Sequence, residues 1–510
     1  HHKIISLPEP LVCGPKRRGA ICAGPVFDLP VVLRGCLCNS LDALIERHLA
    51  KMPEAEYEDF EVLLKAAEEL GSRISVKWSY ICMAYTKIMW DLKWTAAKRK
   101  KLEKAGNEFS PPDNEVSAFT KNEIYHTQCL LDLVKPESRE LPRRPRLIQG
   151  YRYLYWQALY GHTFYTAQAA VKETLYHYEM FPNVKVTFAC GLNALQIAQW
   201  AERVQSKFNN MHVFENDGKD WDATMGPKHY ELVRKVYEQF LPEDFLLYLD
   251  RCQKVRGYVS SHQDFARIVY YAWYTRKSGH NDTTMSNSLV NAFLLSAAFH
   301  LHNTRRGKHT DVEVMVMGDD SIVLVDDDFD ENVVGSTLKN FGIKPAYAKW
   351  RSLYDATFIS GRWYPNGAGG LVFAPLIGRV LCRSMWTMYD QAQRDDIRAQ
   401  WKNSVAQSML PSCDGIPVIG HFLRSLENRS VGRLFIEKQV DFSIHQKTYN
   451  DAALYDHLAT LYGVSISELE SFVSLIKEID GRRCFVSHPV ALKMIQRDLG
   501  DISNRQPMLY

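Results

Sequence analysis

The segment Val312–Asp328 (VEVMVMGDDSIVLVDDD) limits the possible folds of this chain more than any other segment. Two short apolar runs, rich in β-branched residues, flank Gly318-Asp319-Asp320. Because glycine and aspartate favour tight turns, the pattern predicts a β-hairpin with two carboxylates at its tip. Turn formation alone would also explain these acids. Both predicted strands are nearly wholly apolar, however, so the acids would project from the end of a buried hairpin. Such an arrangement suits metal binding.

A second acidic group lies about a hundred residues earlier, in Phe214–Thr224 (FENDGKDWDAT). Asp217 follows a short apolar strand, and Asp222 stands just before a predicted helix. At a strand end, Asp217 could meet Asp319 across a sheet and complete a metal site. Magnesium prefers carboxylate, water and phosphate oxygens, so the ligand chemistry is suitable. Asp220 is a competing ligand, although its neighbours place it within the turn.

The third segment, Ser278–Asn291 (SGHNDTTMSNSLVN), joins a flexible loop to the start of an apolar helix. Helix capping would explain one or two of its polar residues. Every position from Ser278 to Asn287 except Met285 is polar or glycine, however, which exceeds that need. A loop and helix face rich in hydroxyls and amides suits recognition of a sugar and a base.

A basic run occupies Lys135–Arg146 (KPESRELPRRPR), and its prolines prevent a continuous helix. The formal net charge of the 510-residue chain is only +3, so a nucleic-acid binder must concentrate positive charge locally. The run is either such a site or a solvated loop. Its basic residues are Lys135, Arg139, Arg143, Arg144 and Arg146.

The composition, 46% hydrophobic and 24% charged, is that of a globular protein. Helical patterns cover Leu41–Lys51 and Glu56–Glu69, and we expect the second helix to end at Gly71. Strands alternate with helices from residue 184 to residue 364, and the pattern beyond Pro375 is mostly helical. No charge-free apolar stretch reaches the roughly 20 residues that span a bilayer.

Together these segments resemble the motifs of right-hand polymerases, specifically RNA-dependent RNA polymerases of positive-strand RNA viruses. Asp217-x4-Asp222 resembles motif A, Ser278-Gly279-x3-Thr283-x3-Asn287 resembles motif B, and Gly318-Asp319-Asp320 resembles motif C, the GDD motif. Their order and spacing also agree with the family. The basic run resembles motif F, Phe341–Lys349 resembles motif D, and Thr357–Arg362 (TFISGR) resembles the hairpin of motif E.

The resemblance implies an α+β fold of fingers, palm and thumb, with a small antiparallel palm sheet flanked by helices and a mostly helical thumb. Residues 1–183 would form fingers and an N-terminal extension. Residues 184–365 would form the palm with an inserted fingers segment. Residues 366–510 would form the thumb and C-terminal region.

The resemblance also implies roles for individual residues. Asp217 and Asp319, assisted by Asp320, would hold two Mg²⁺ or Mn²⁺ ions. Lys349, favoured over Lys344, would protonate the leaving pyrophosphate. Asp222 and Asn287 would read the ribose 2′-hydroxyl. The remaining residues would position template, nucleotide and triphosphate: Ser278, Gly279, Thr283, Lys135, Arg139, Arg144 and Arg146.

The expected function is template-directed RNA synthesis from ribonucleoside triphosphates. The expected partners are an RNA template, the nascent strand and the nucleotides. Within the family, the features look most like the polymerase region of a nodavirus replicase. We therefore expect other regions of a larger membrane-associated replicase, a possible homo-oligomer, and a location in the host cytoplasm at membrane-bound complexes, on the outer mitochondrial membrane if the likeness holds. The absence of an initial methionine fits a processed product or a fragment.

Three alternatives remain at this level. Reverse transcriptases usually carry an aromatic residue before the acidic pair and an aromatic ribose gate, whereas Gly318, Asp222 and Asn287 occupy the corresponding places here. A non-catalytic RNA-binding scaffold would show basic patches without convergent acids. A metal-dependent nuclease would cluster acids but would not need the segment from Ser278 to Asn287 or the basic run.

Overall fold

A computed structural model describes residues 3–7, 17–33, 35–50, 53–57, 60–108, 110–121, 123–126, 146–260, 267–428, 430–432, 446, 448 and 451–500. Its α-helices are α1 Leu37–Ala43, α2 Phe60–Tyr80, α3 Met83–Leu92, α4 Ala96–Gly106, α5 Leu154–Thr174, α6 Ala194–Gln205, α7 Trp221–Thr224, α8 Pro227–Tyr237, α9 Glu243–Arg251, α10 Thr283–Arg306, α11 Glu331–Asn340, α12 Ile377–Arg383, α13 Asp395–Cys413, α14 Ile419–Leu426, α15 Asp451–Tyr462, α16 Ile466–Ile479 and α17 Pro489–Leu499. A π-helical turn covers Leu44–His48, and a 3₁₀ turn covers Asp390–Gln393.

The β-strands are short, as in most mixed folds. They are β1 Lys3–Ser6, β2 Arg17–Arg18, β3 Ile21–Cys22, β4 Pro30–Leu33, β5 Glu115–Thr120, β6 Ile124–His126, β7 Leu147–Tyr151, β8 Tyr178–Phe181, β9 Val184–Phe188, β10 His212–Gly218, β11 Lys254–Ser260, β12 Arg267–Trp273, β13 Val312–Met317, β14 Asp320–Val325, β15 Pro345–Trp350, β16 Gly361–Pro365, β17 Leu371–Pro375 and β18 Trp386–Thr387.

A six-stranded sheet with the order β15-β10-β14-β13-β9-β8 forms the centre of the molecule. The hairpin predicted around Gly318 is present as β13 and β14. The sheet departs from the expected antiparallel arrangement at one pair, because β13 runs parallel to β9. Parallel neighbours need a long crossover, and several helices separate β9 from β13 along the chain. The sheet includes β8, which precedes residue 184, and the division at that residue stays a prediction.

Helix α10 is the main support of this sheet. Nearly all of its residues from Met285 to Phe299 are buried, and it packs on β13. Alternation along β13 divides the two faces, because Val314 belongs to the core around α10 and Met315 belongs to the core around α6. Apolar strands with both faces covered explain why the sequence pattern of the hairpin is continuously hydrophobic.

The helix expected to end at Gly71 does not end there, so that prediction was wrong. Helix α2 continues through Gly71 to Tyr80. A Cβ atom at Gly71 would lie 2.6 Å from both the carbonyl oxygen of Val236 and Cγ of Gln239. The glycine therefore permits close packing of α2 against α8 and does not terminate the helix. Local helix-ending preferences were overridden by a contact between distant segments.

The hairpin expected within Thr357–Arg362 lies further along the chain. A tight turn joins Phe358 to Gly361, and the two strands that follow it are β16 and β17. Beyond Pro375 the described residues are mainly helical, as the pattern predicts. A fully buried ion pair, Arg362 to Asp498 at 2.7 Å, ties β16 to α17.

A five-stranded sheet with the order β1-β12-β11-β5-β7 lies apart from the central sheet. Its buried face packs on α1 and the π-helical turn, with Val255, Ile268 and Leu44 in one core cluster. In the described part of the chain, no helix combines the length and the apolar character that crossing a membrane requires.

Two glycines at helical positions provide a test of this packing. Replacing glycine by alanine within a helix normally adds about 1 kcal/mol of stability. At Gly71 we expect the opposite, a loss of about 1–3 kcal/mol, because the new methyl group collides with α8. At Gly106 the new Cβ would lie 3.6 Å from Cβ of Ala158, an ordinary contact. Urea denaturation should therefore show Gly71→Ala below the wild type and Gly106→Ala level with it or above. Equal effects at the two sites would contradict the packing argument.

Candidate active site

The tip of the β13–β14 hairpin is a two-residue turn, since Met317 and Asp320 are paired. Gly318 has φ +68, a left-handed conformation that glycine adopts without strain. Asp319 is thus held at the tip and Asp320 at the first position of β14. The glycine of the predicted turn has a backbone function, whereas the two acids extend from the end of the sheet.

Asp217 lies beside this tip because of the strand register. Strand β10 pairs with β14 so that Asp217 stands directly opposite Asp320. Directly paired residues point to the same face of a sheet, so the two carboxylates share one side. Glu215 lines the same region but is engaged otherwise, accepting hydrogen bonds from the Trp350 indole at 2.9 Å and the Thr357 backbone at 3.1 Å. Glu215 therefore has a structural role.

Helix α10 fixes the turn by hydrogen bonds. Ser288 Oγ accepts from the Gly318 N–H at 2.7 Å. Asn291 Nδ2 donates to the carbonyl oxygens of Gly318 at 3.2 Å and Asp319 at 3.1 Å. The sequence pattern singled out Asn291 but not Ser288. Ser288 could have been identified as a polar residue inside an otherwise apolar helix.

The carboxylates around the tip repel one another. Burial raises the pKa of Asp320 to about 8, and the charges of Asp319 and Asp217 add to the effect. Burial, followed by the charge of Asp319, raises the pKa of Asp222 to about 6, while Arg276 opposes that rise. The region therefore carries excess negative potential, which a bound cation would relieve.

A cavity of about 950 Å³ opens in front of these acids. The predicted site residues that line it are Asp217, Asp222, Ser278, Thr283, Asn287, Asp319, Asp320 and Arg146. Residues separated by more than a hundred positions thus share one concave surface. Such a surface with convergent polar groups is typical of a substrate site.

Among the predicted site residues that line the cavity, two side-chain polar atoms have no hydrogen-bond partner in the described part of the chain. They are Ser278 Oγ and Asn287 Oδ1, and both are buried. Buried polar atoms are nearly always hydrogen-bonded, so exceptions at a cavity indicate a place for a ligand. Thr283 differs, because its hydroxyl contacts the carbonyl oxygens of Lys277 and His280, both at 2.9 Å. Thr283 therefore closes the loop that carries Ser278.

Gly279 serves the packing of that loop. Its N–H donates to the carbonyl oxygen of Gln149 at 2.8 Å. A Cβ atom there would lie 2.8 Å from Cα of Gly150. Any larger residue would push the loop away from β7, so the predicted Gly279 contributes by permitting close approach rather than by lining the cavity.

Lys349 does not lie beside the carboxylates. It stands on β15 opposite Phe214, whereas Asp217 pairs with Ala346 on the same strand. Its ammonium group donates to Asp328 and to the carbonyl oxygen of Phe329. Lys344, the alternative lysine, is exposed and precedes β15. Its carbonyl oxygen accepts from the Lys219 N–H at 2.9 Å, near the Asp217 end of the sheet.

The predicted basic run is described only in part. Lys135, Arg139 and Arg144 lie outside the described residues. Arg146 is exposed at the cavity, and its guanidinium lies 3.3 Å from the carboxylate of Glu123. The proposed contacts of this run with a triphosphate therefore stay predictions.

Sequence reasoning missed several arginines in and beside the cavity. Arg276 is largely buried, pairs with Asp282 at 3.2 Å, and its N–H donates to the carbonyl oxygen of Asp222 at 2.8 Å. It precedes Ser278 by two positions, so proximity to a polar motif was a usable signal. Arg379 and Arg383 come from α12, more than fifty residues beyond the hairpin, and they also line the cavity. No local pattern marks those two.

The donor chemistry of the site fits a divalent cation, although the described residues contain no ready-made cluster of three or more His, Cys, Asp or Glu ligands. Magnesium does not need such a cage, because it is usually held by one or two carboxylates together with waters and substrate phosphates. Asp217, Asp319 and Asp320 offer those carboxylates on one cavity wall.

Comparison with known proteins shows that the part of the chain that carries most of this site matches the model of a described family. Residues 173–347, a segment that begins in α5 and ends in β15, match the model of the family RNA dependent RNA polymerase. The match covers less than half of the chain but includes the hairpin, β10 and the whole of α10. No curated protein matches the chain. The resemblance to polymerases of positive-strand RNA viruses is thereby confirmed, and a polymerase fold and RNA and nucleotide substrates are implied. The match indicates an RNA-directed RNA polymerase, a nucleotidyltransferase.

Proposed function

We propose that this protein copies a viral RNA template from ribonucleoside triphosphates by two-metal nucleotidyl transfer. The observation that carries the proposal is the register of β10 and β14, which sets Asp217 opposite Asp320 with Asp319 at the adjoining turn. Three carboxylates on one cavity wall suit the binding of divalent cations, which in turn would bind the phosphates of a nucleotide. The alternatives of a scaffold and a nuclease do not account for the neighbouring polar loop.

Asp217 and Asp319 would hold two Mg²⁺ or Mn²⁺ ions, with Asp320 assisting. The chemistry that such ions supply is activation of the 3′-hydroxyl of the growing strand and stabilisation of the departing pyrophosphate. The residues of the chain itself would position the reacting groups. The rigid turn, held by Ser288 and Asn291, would keep Asp319 in place during the transfer.

The ribose would be read by Asp222 and Asn287. Both line the cavity, and the buried Oδ1 atom of Asn287 has no partner among the described residues. A 2′-hydroxyl is both donor and acceptor and could satisfy that atom. Discrimination is strong when a site leaves a polar group unpaired with the wrong substrate. This polar arrangement favours RNA synthesis over the reverse-transcriptase alternative.

The triphosphate would be guided by Arg146, together with Lys135, Arg139 and Arg144, while Ser278, Gly279 and Thr283 would position template and nucleotide. Arginine binds phosphates through paired hydrogen bonds, which suits a nucleotide entrance. Lys344, just before β15, or Lys349 within that strand would protonate pyrophosphate. The positions of the two candidates support Lys344 for this role rather than Lys349.

Finer assignments are part of the same proposal. The chain would be the polymerase region of a nodavirus-like replicase that acts with its other regions at membrane-bound complexes in the host cytoplasm. Assembly into homo-oligomers would fit such complexes. The motif likeness supports this view.

Asp319 and Asp220 form a matched pair of acids for a direct test. We expect Asp319→Asn to reduce RNA synthesis by at least about 1,000-fold, because loss of a metal ligand removes several kcal/mol of charge stabilisation. Asp220→Asn should stay within about threefold of the wild type, because Asp220 pairs with Arg47 at 3.2 Å and asparagine tolerates its left-handed backbone. The measurement is incorporation of labelled ribonucleotides on a short RNA template with Mg²⁺ or Mn²⁺. Full activity of Asp319→Asn would refute its assignment.

Asn287 provides a test of sugar selection. Asn287→Ala should lower the preference for ribo- over deoxynucleotides by about 10- to 100-fold, since one hydrogen bond that distinguishes the sugars is lost. The comparison is kcat/KM for each nucleotide. Thr304→Ala, an exposed change at the other end of α10, serves as control. An unchanged preference in Asn287→Ala would remove this residue from the ribose site.

The two lysines can be separated by pH profiles. Lys344→Leu should slow incorporation by about 100-fold and remove the decline of rate at alkaline pH, because a general acid is lost. Lys349→Leu breaks the contacts with Asp328 and Glu331 and should lower stability while the pH profile keeps its shape. Single-turnover incorporation across pH 6 to 10 is the measurement. The reverse pattern would restore Lys349 as the general acid.

A further inference from the structure

We propose that the open face of the five-stranded sheet β1-β12-β11-β5-β7 binds single-stranded RNA and leads the template to the cavity. The site lies outside the carboxylate cavity, and it deepens the proposed function by giving the template a docking surface. None of the sequence motifs singled out above includes it.

The two faces of this sheet differ sharply. Alternation along β11 and β12 buries Val255, Val259 and Ile268 in the core beneath the sheet. The opposite face carries Lys254, Arg256 and Tyr258 from β11 and Arg267, Tyr271 and Trp273 from β12. Basic and aromatic residues thus alternate with core residues along both strands. Aromatic rings interleaved with basic groups on a sheet are the elements that stack bases and bind phosphates.

The basic and aromatic residues form rows across the strands. Tyr271 pairs with Arg256 on one side and with Lys3 on the other, while Lys254 pairs with Trp273. The Lys254 ammonium lies 5.1 Å from the centre of the Trp273 ring. Four gaps of about 4.8 Å make the sheet roughly 19 Å wide. Four-stranded RNA-binding sheets of similar width stack two or three bases.

Tyr258, at the centre of this face, is anchored. Its hydroxyl donates to Glu115 at 2.8 Å, and the Arg152 guanidinium stacks 3.5 Å from its ring centre. Arg152 also pairs with Glu115 at 3.2 Å. The charge of Glu115 is thus balanced by Arg152 within the face. The guanidinium groups of Arg256 and Arg267 lie 5.5 and 6.0 Å from the centre of the Tyr258 ring. Tyr258 therefore organises the arginines and is not itself open to a base.

Two other rings are open to stacking. Tyr271 is 42% exposed and Phe119 is 50% exposed. An exposed aromatic residue beside several cations matches a nucleic acid better than a protein partner, because the centres of protein interfaces are depleted of charge. Among its described residues, this face carries one acid, Glu115, and five basic side chains. The basic side chains are those of Lys3, Arg152, Lys254, Arg256 and Arg267. The excess is notable in a chain whose net charge is only +3.

The sheet connects directly to the loop that lines the cavity. Gly150 of β7 forms a bridge with Gly279, and the Tyr151 ring stacks on His280 with centres 4.5 Å apart. Arg152 follows these residues on the same strand edge. Tyr151 pairs with the core residue Val116, so its stack with His280 lies on the buried face. The bridge at the β7 edge is the link by which RNA that crosses the open face would reach the loop of Ser278.

The test compares two charge-matched double variants. Arg256→Gln/Arg267→Gln removes two cations of the open face. Lys100→Gln/Lys101→Gln removes two exposed cations of α4 and is the control. Binding of a fluorescent 20-nucleotide single-stranded RNA, without nucleotides or divalent metal, is followed by anisotropy. We expect the first variant to bind about tenfold more weakly, with a salt dependence reduced by about 1.4 in log–log slope. Tyr271→Ala should weaken binding about tenfold with an unchanged slope.

A second measurement tests whether the open face binds the template during RNA synthesis. RNA synthesis on a 30-nucleotide template should show a KM for template raised about tenfold in Arg256→Gln/Arg267→Gln, with kcat changed less than twofold. Equal binding of RNA by both double variants, or an equal loss in both, would overturn the proposal and leave the face to another partner. If the wild type binds RNA through this face but makes no product, the proposed function fails while this inference stands. Thermal melting confirms that each variant is folded.

Discussion

The pairing of β10 with β14 is the constraint on which the active site depends. It sets Asp217 opposite Asp320, and the two-residue turn beside them presents Asp319. A slip of one residue would turn every side chain of β10 to the other face and separate the acids. Two covered faces prevent that slip, because α10 packs on one side and α6 on the other. The turn itself is held by a hydrogen bond that Asn291 donates to it and by one that Ser288 accepts from it. The burial of apolar side chains that stabilises the sheet therefore also fixes the positions of the acids.

The paired strands hold acids of like charge close together, which has an energetic cost. Burial is the largest cause of the raised pKa of Asp320, and the charges of Asp319 and Asp217 add to it. Under the proposed function, bound cations would relieve the repulsion among these acids. Positive charge also lies near the acids. Arg276 comes from the loop before α10, Arg379 and Arg383 come from α12, and the open face of the five-stranded sheet lies beyond the same loop.

Local patterns predicted the elements that carry strong chemical constraints. The hairpin, the strand before Asp217 and the helix after Ser278 could be read directly, because turn residues, apolar runs and polar clusters there agree with one another. Predictions failed where a distant contact overrode a local preference. Gly71 is a helix-ending residue by type, yet contact with Val236 makes it an interior packing residue. The parallel pairing of β9 with β13 and the true position of the β16–β17 hairpin also depend on partners remote in sequence.

The sequence by itself determined which residues are candidates for the chemistry of the site, namely carboxylates at a tight turn and at a strand end, and a polar loop before an apolar helix. Those assignments rest on residue type and short spacing, which a linear pattern contains. Tertiary structure alone decided which of these groups meet. It brought Asp217 to the hairpin tip, set Lys344 nearer to that end of the sheet than Lys349, and added Arg379 from another helix. The physical reason is that register and packing are settled by the burial of apolar faces between distant segments, a property that no single segment records.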